Sequence, residues 1–201
     1  MNALETFRSL PIFRDRWYSL IVVVGAAAII GGWLFGTPPG LLGKADAIGY
    51  AVCHRIDGRS FHLGDRQLPL CARCTGIYLG AMLAMIVFTA SGRGKAGGLP
   101  SRWMLAVLGL FIAAMGFDGI NSYLTFFPRL PHLYEPQNWL RLTTGMFAGI
   151  AAGTLVFPSF NATLWRDATD RRVIENWREL GGLIVLGASL SLTAFFGFKL
   201  W

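Results

Sequence analysis

The sequence predicts an all-α fold, a polytopic bundle of about five membrane-spanning helices, and three observations predict it. Of 201 residues, 54% are hydrophobic and only 14% charged, whereas a soluble domain carries about 25% charged residues. The apolar residues fall in blocks of membrane-crossing length, and the basic residues gather in the connections between them. Mean hydropathy is +0.49. Such a composition excludes a disordered tail, a disulfide miniprotein and most soluble enzymes. The net charge of +7, from 18 Lys+Arg against 11 Asp+Glu, accordingly reports topology at anionic headgroups. It points to a lipid bilayer as partner and not to nucleic acid.

The first block, Trp17 to Phe35, holds no charge and is flanked by Trp17, Tyr18 and Trp33 at its two interfaces. It is long enough to span, and no clear small-residue cleavage site precedes the Gly-Thr-Pro-Pro turn, so it reads as a retained anchor. Residues 1–16 form a cytoplasmic N-terminal segment ahead of a single transmembrane domain, 17–201. Leu41 to Val52 is too short and too polar to cross and reads as an amphipathic or re-entrant helix leading into Cys53. Further spans run from Thr75 to about Ala90, Trp103 to about Ile120, about Leu140 to Phe157, and Leu180 to Phe198. Gly145, Gly149 and Gly153 on the fourth span, with Gly76 and Gly80 on the second, form small-residue ridges that let helices approach closely. Such faces fit a compact bundle, a homo-oligomer or a larger membrane complex. The connection from Ser159 to Glu179 mixes both charge signs and reads as a short surface helix capping the cytoplasmic side.

The connections carry 3, 5, 3, 2, 4 and 1 Lys or Arg in chain order. Setting aside the five of the first loop (Lys44, Arg55, Arg59, Arg66 and Arg73) as possible site residues, the remainder favours an inner-membrane protein with a cytoplasmic N-terminus. The cysteine loop then faces outward.

Chemistry concentrates in residues 53–78, between the first and second spans, which hold all three cysteines, His54, His62 and four arginines. Cys71 and Cys74 form a C-x-x-C pair at a helix start, and Cys53 lies eighteen residues before Cys71. Three thiolates and an imidazole complete a tetrahedral set for zinc, with copper or iron as alternatives. His62 is the geometrically easier fourth ligand, because adjacent Cys53 and His54 rarely reach one ion together. The same residues also suit dithiol redox chemistry on Cys71 and Cys74, or simple burial of small apolar thiols. Arg55, Arg59, Arg66 and Arg73 offer guanidinium forks suited to phosphate, sulfate or carboxylate. Ser60 and Thr75 add hydroxyls near a helix N-terminus.

A second polar feature, 118–121, places Asp118 and Asn121 at the end of the third span. A third, 138–145, places Asn138 and Arg141 at the start of the fourth. Consecutive antiparallel helices bring these ends together on the face of the cysteine loop, so Arg141 is the expected partner of Asp118, forming a floor beneath the cysteines. His132 shares that face and is a weaker candidate ligand. Phe126, Phe127, Tyr134 and Trp139 read as an interfacial belt.

Taken together, CHR, RSF, PLCARCTGIYLG, the DG of the third span and N-x-x-R-x-x-TG resemble an uncharacterised family of small integral membrane proteins of bacteria and archaea, over about residues 45–155. The pattern is carried by Cys53, His54, Arg55, Arg59, Ser60, Phe61, Pro69, Cys71, Arg73, Cys74, Gly76, Tyr78, Gly80, Asp118, Gly119, Asn138, Arg141 and Gly145. The resemblance transfers no reaction. It implies that the cysteine loop and the Asp118 and Arg141 elements belong to one design, and it favours His54 over His62.

The leading expectation is thus a Cys/His metal site, with zinc bound, beside an Arg- and Asp-lined pocket that binds or processes an anionic substrate or lipid headgroup. A membrane thiol-disulfide oxidoreductase using the C-x-x-C pair, and a transporter or accessory subunit, are the alternatives. No catalytic residue is assigned from the sequence.

Overall fold

The computed structural model describes residues 16–127 and 131–199; the proposed N-terminal segment lies outside them, except for its last residue. The chain divides between Ala51 and Val52 into two compact units, and five helices are long and apolar enough to cross a membrane.

The N-terminal unit holds α1 (Arg16–Gly36) and nearly all of α2 (Leu41–Val52). Pro38, Pro39 and Gly40, the last at φ +83°, separate the two helices because proline cannot continue the first and glycine permits the turn. Lys44 folds back on the end of α1, donating from Nζ to the Leu34 carbonyl and to the Thr37 carbonyl and hydroxyl at 3.2 and 2.6 Å. A cation on terminal carbonyls neutralises the negative helix end, so Lys44 caps the helix.

The second unit is built on α3 (Ala72–Ala90), α4 (Arg102–Leu124), α5 (Asn138–Leu164) and α6 (Trp177–Lys199). Each extends beyond its apolar run by a few residues, since backbone hydrogen bonding continues past the last apolar side chain. α3 and α5 pack backbone to backbone. A Cβ on Gly76 or Gly80 would stand 2.2 or 2.1 Å from the carbonyl oxygens of Leu142 and Met146, and one on Gly145 or Gly149 would stand 2.4 or 2.1 Å from those of Arg73 and Ile77. The ridges are therefore an interlocked seam. Around it Leu108, Met146, Ile150, Ile174, Leu180 and Leu183 form the main core.

One end of this unit carries a β-hairpin, β1 (Ser60–Leu63) with β2 (Arg66–Cys71), entered through a 3-10 turn at Asp57–Arg59. The two-residue loop Gly64–Asp65 suits a tight hairpin because Gly64 sits at φ +59°. Phe61 anchors the hairpin on the end of α6, stacked on Phe198 at 4.9 Å and edge-on to Phe195 at 6.4 Å.

At the other end, β3 (Ala96–Gly98) pairs in parallel with β4 (Thr169–Arg172), and the expected surface helix of the 159–179 connection is an extended strand instead. Gly98 lies so close to the Asp170 carbonyl oxygen, 2.5 Å from a notional Cβ, that the two chains pair through bare backbone. Arg93, 7% exposed, fastens this end with two hydrogen bonds of 2.6 Å to the Glu179 carboxylate and one to the Val173 carbonyl. The Asn176 side chain accepts the Glu179 N–H at 3.0 Å, which starts α6.

Candidate metal and anion site

Three segments deliver the cysteines. Cys53 leads out of α2, Cys71 ends β2, and Cys74 lies in the first turn of α3, one helical turn on. Their Sγ atoms all lie within 4.8 Å of one another. A tetrahedral ion with Zn–S bonds of about 2.3 Å sets sulfurs about 3.8 Å apart, so a small contraction suffices. Cys53 is buried and its sulfur accepts the backbone N–H groups of Arg55 and Cys71, at 3.4 and 3.3 Å. Arg55 adopts φ +47°, a left-handed conformation that costs a non-glycine residue energy and recurs where a site dictates the backbone. Hydrogen bonding from the Cys74 thiol first, then from the Cys74 amide, the Cys53 thiol and the Arg73 amide, outweighs burial and holds the Cys71 thiol below the usual thiol range. A donor set of this kind fits a soft or borderline cation.

Among the described residues this cluster consists of the three sulfurs. His54 lines the same cavity. His62 is turned along the hairpin to Asp57, its Nε2 2.9 Å from Oδ1. His132 is likewise engaged, 2.8 Å from Glu135.

The sulfurs border a cavity of about 350 Å³, lined also by His54, Arg55, Arg59, Arg73 and Arg141, with Val52, Ile56, Tyr123 and Phe126 completing the wall. Asp118, 2% exposed, pairs with Arg73 and not with the expected Arg141. The reason is geometric: Gly119 leaves room for the Arg73 guanidinium, whose Nη1 lies 3.8 Å from where a Cβ would stand. Arg141, 5% exposed, instead donates from Nε and Nη2 to the Ser122 hydroxyl at 3.2 and 2.8 Å, and from Nη1 to Asn138 Oδ1 at 2.7 Å. Arg59 donates to the Ser122 carbonyl at 2.6 Å and lies over the Phe126 ring.

The remaining expected residues hold this frame together. Asn138 Nδ2 donates to the Ser60 carbonyl at 3.2 Å, and the Ser60 hydroxyl donates to the Ile56 carbonyl while accepting from Gln67. Thr75 turns its hydroxyl back to the Cys71 carbonyl at 3.1 Å. Asn121 binds the 133–134 backbone through both side-chain atoms. Arg66 lies at the far end of the hairpin, in register with Leu63.

Three contributors escape sequence reasoning. Tyr134, expected in an aromatic belt, donates its hydroxyl to Asp118 at 2.7 Å; burial and the neighbouring carboxylate raise its pKa to about 12, so it remains a donor. Ser122 joins Arg59 to Arg141, and Gln67 ties the hairpin to Arg55 through its carbonyl at 2.8 Å. Ser122 follows Asn121 directly in the 118–121 motif, which is the only sequence signal for any of them.

Residues 53–155 match the family described as predicted membrane protein (DUF2085). An uncharacterized protein of Methanocaldococcus jannaschii is 29% identical over 57% of this chain and 67% of its own length. An uncharacterized protein of Methanothermobacter thermautotrophicus is 32% identical over 52% of this chain and 83% of its own length. No solved structure matches the chain.

Proposed function

Because the chain belongs to this family of predicted membrane proteins, and the matched region includes all three cysteines and Arg141, we propose that it is a multi-pass inner-membrane protein holding a zinc ion beside an anion-binding pocket. Cys53, Cys71 and Cys74 are the thiolate ligands. The observation that carries this reading is the convergence of three sulfurs from separate segments on the wall of a cavity that four arginines also line. His54 is the fourth protein ligand in preference to His62, since His54 borders the cavity and the His62 ring is bound to Asp57.

With four protein ligands the zinc would sit in a closed tetrahedral shell and would supply Lewis acidity only if His54 gave way to water or substrate. The chain's own contribution is to orient the charged groups. Asp118 and Tyr134 hold Arg73 beside Cys74, while Ser122 and Asn138 hold Arg141. Dithiol redox chemistry on Cys71 and Cys74, with Cys53 resolving, is the second reading; against it, the sequence holds no second C-x-x-C to relay electrons. The N-terminus is cytoplasmic and the cysteine face outward, supported by Arg93, Lys95, Arg171 and Arg172 clustering about β3 and β4 at the opposite end.

Elemental analysis of the detergent-purified protein tests the reading, with Cys71→Ser as control and free thiols counted. About one zinc per chain, lost in the control, is the expected result. No bound metal, with two thiols missing until reductant is added, would refute it in favour of the oxidoreductase.

A further inference from the structure

The charges lining the cavity do not cancel. Arg73 is met by Asp118, whereas Arg59 and Arg141 feel Asp118 and the Cys71 thiolate only at a distance and donate their hydrogen bonds to neutral acceptors: the Ser122 carbonyl and Thr125 hydroxyl for one, the Ser122 hydroxyl and Asn138 amide oxygen for the other. Both guanidiniums thus converge on a single serine. Burial, and then the charge of Arg73, work against the protonated form of Arg59. A protein keeps like charges together at low exposure when a counter-charge occupies the space between them. Neutral acceptors fix the forks in place and leave that counter-charge to be supplied from outside.

Two guanidinium forks against the one Cys71 thiolate on the same wall leave at least one positive charge, and two sets of N–H donors, to be met. A phosphate monoester supplies –1.5 to –2 at pH 7, with three acceptor oxygens; a carboxylate or sulfate ester supplies one charge. The rest of the wall is of the opposite character. Val52, Ile56, Tyr123 and Phe126 line the same cavity, and Tyr123 sits edge-on to Phe126 with centroids 6.1 Å apart. Free phosphate has no use for such a surface, whereas the carbons that follow a lipid phosphate do. About 350 Å³ lies at the lower end of small-molecule sites, room for a head group and its first carbons but not for whole acyl chains.

We infer that the cavity binds the phosphate-monoester head of an amphiphile, with Arg59 and Arg141 as the phosphate forks and the Ile56, Tyr123 and Phe126 side chains against its hydrocarbon. This deepens the reading above and rests on it only for this cavity being the working site; the charge argument does not use the metal.

The test is calorimetric titration of the full-length protein in detergent with three probes: dihexanoyl phosphatidic acid, inorganic phosphate and dihexanoyl phosphatidylcholine. Metal content is measured on every sample. The expected result is that phosphatidic acid binds about tenfold or more tighter than either other probe. Arg59→Gln should weaken it by about 10- to 100-fold, the worth of a charged hydrogen bond, at unchanged metal content. Arg59→Lys should restore part of the loss, through charge without the fork. Inorganic phosphate or phosphatidylcholine binding as tightly as phosphatidic acid overturns the inference, and so does wild-type affinity in Arg59→Gln. The comparison of probes on the wild type decides even where a variant fails to fold. Phosphatidic acid binding to a metal-free wild type would sink the zinc reading and uphold this one; metal without phosphatidic acid binding would do the reverse.

Discussion

Replacing Gly149 by alanine adds one methyl group at the seam of α3 and α5, and the structure sets the cost. The new Cβ would stand 2.1 Å from the Ile77 carbonyl oxygen, 2.8 Å from its carbon and 2.9 Å from its Cα. Ordinary contact begins at 3.4 Å, so the helices must part by roughly 1 Å, because backbone atoms cannot rotate aside as a side-chain tip can. Overpacking of this kind costs about 1–3 kcal/mol, and the upper end applies where the obstacle is backbone. Gly153 is a graded control: its nearest obstacle, the Ala81 carbonyl oxygen, lies at 3.0 Å, and Gly153→Ala should cost about 1 kcal/mol. Gly116 on α4 has nothing within 4 Å. Gly116→Ala should be neutral or gain up to about 1 kcal/mol from helix propensity. Thermal unfolding in detergent, followed by circular dichroism, reads the series at about 2–4 °C per kcal/mol for a chain of this size. A drop of about 6–12 °C for Gly149→Ala is expected. Equal midpoints for Gly149→Ala and Gly116→Ala would refute the interlocked seam.

Asp118→Asn leaves Arg73 without its carboxylate and should destabilise by about 3 kcal/mol, whereas Tyr134→Phe removes one hydrogen bond and should cost about 1 kcal/mol; unfolding midpoints that rank the two in reverse order would contradict the network. Arg93→Gln removes the paired hydrogen bonds to Glu179 at the opposite end and should lower the midpoint while metal content stays at wild-type level. Chelator treatment should expose the half-buried Cys71 and Cys74 to alkylation, scored by mass spectrometry, while His62→Ala leaves metal content unchanged and His54→Ala lowers metal affinity about 10-fold or more. An untreated protein alkylated as fast as a chelated one would speak against bound metal.

The spans were legible because lipid demands unbroken apolar runs with internally satisfied backbone, and all five runs are helices. The glycine seam was legible for a related reason, since four-residue spacing fixes one face of a helix whatever its partner. Grouping the cysteine loop with the Asp118 and Arg141 ends followed from alternating helix direction and is borne out by contacts such as Asn138 to Ser60. Side-chain pairing was not legible. Arg141 is the basic residue nearest Asp118 by chain logic, yet the open face at Gly119 admits Arg73, and no one-dimensional pattern reveals that. His62 stands midway between cysteines in sequence, but alternation along a strand turns it to Asp57. Ala-Gly-Gly and Thr-Asp-Arg-Arg carry little β-propensity; their pairing depends on close backbone approach at Gly98 and on the Arg93 anchor, both of them tertiary. Tyr134 looked like one more interfacial aromatic because only its hydroxyl has a polar task.

Zinc K-edge absorption fine structure of the purified full-length protein tests the central claim most directly, because it reads ligand identity and not merely stoichiometry. The account predicts a shell of three sulfurs at about 2.3 Å and one nitrogen or oxygen at about 2.0–2.1 Å, with one sulfur lost in Cys53→Ser. A shell of nitrogen and oxygen alone, or a spectrum indifferent to Cys53→Ser, would contradict it.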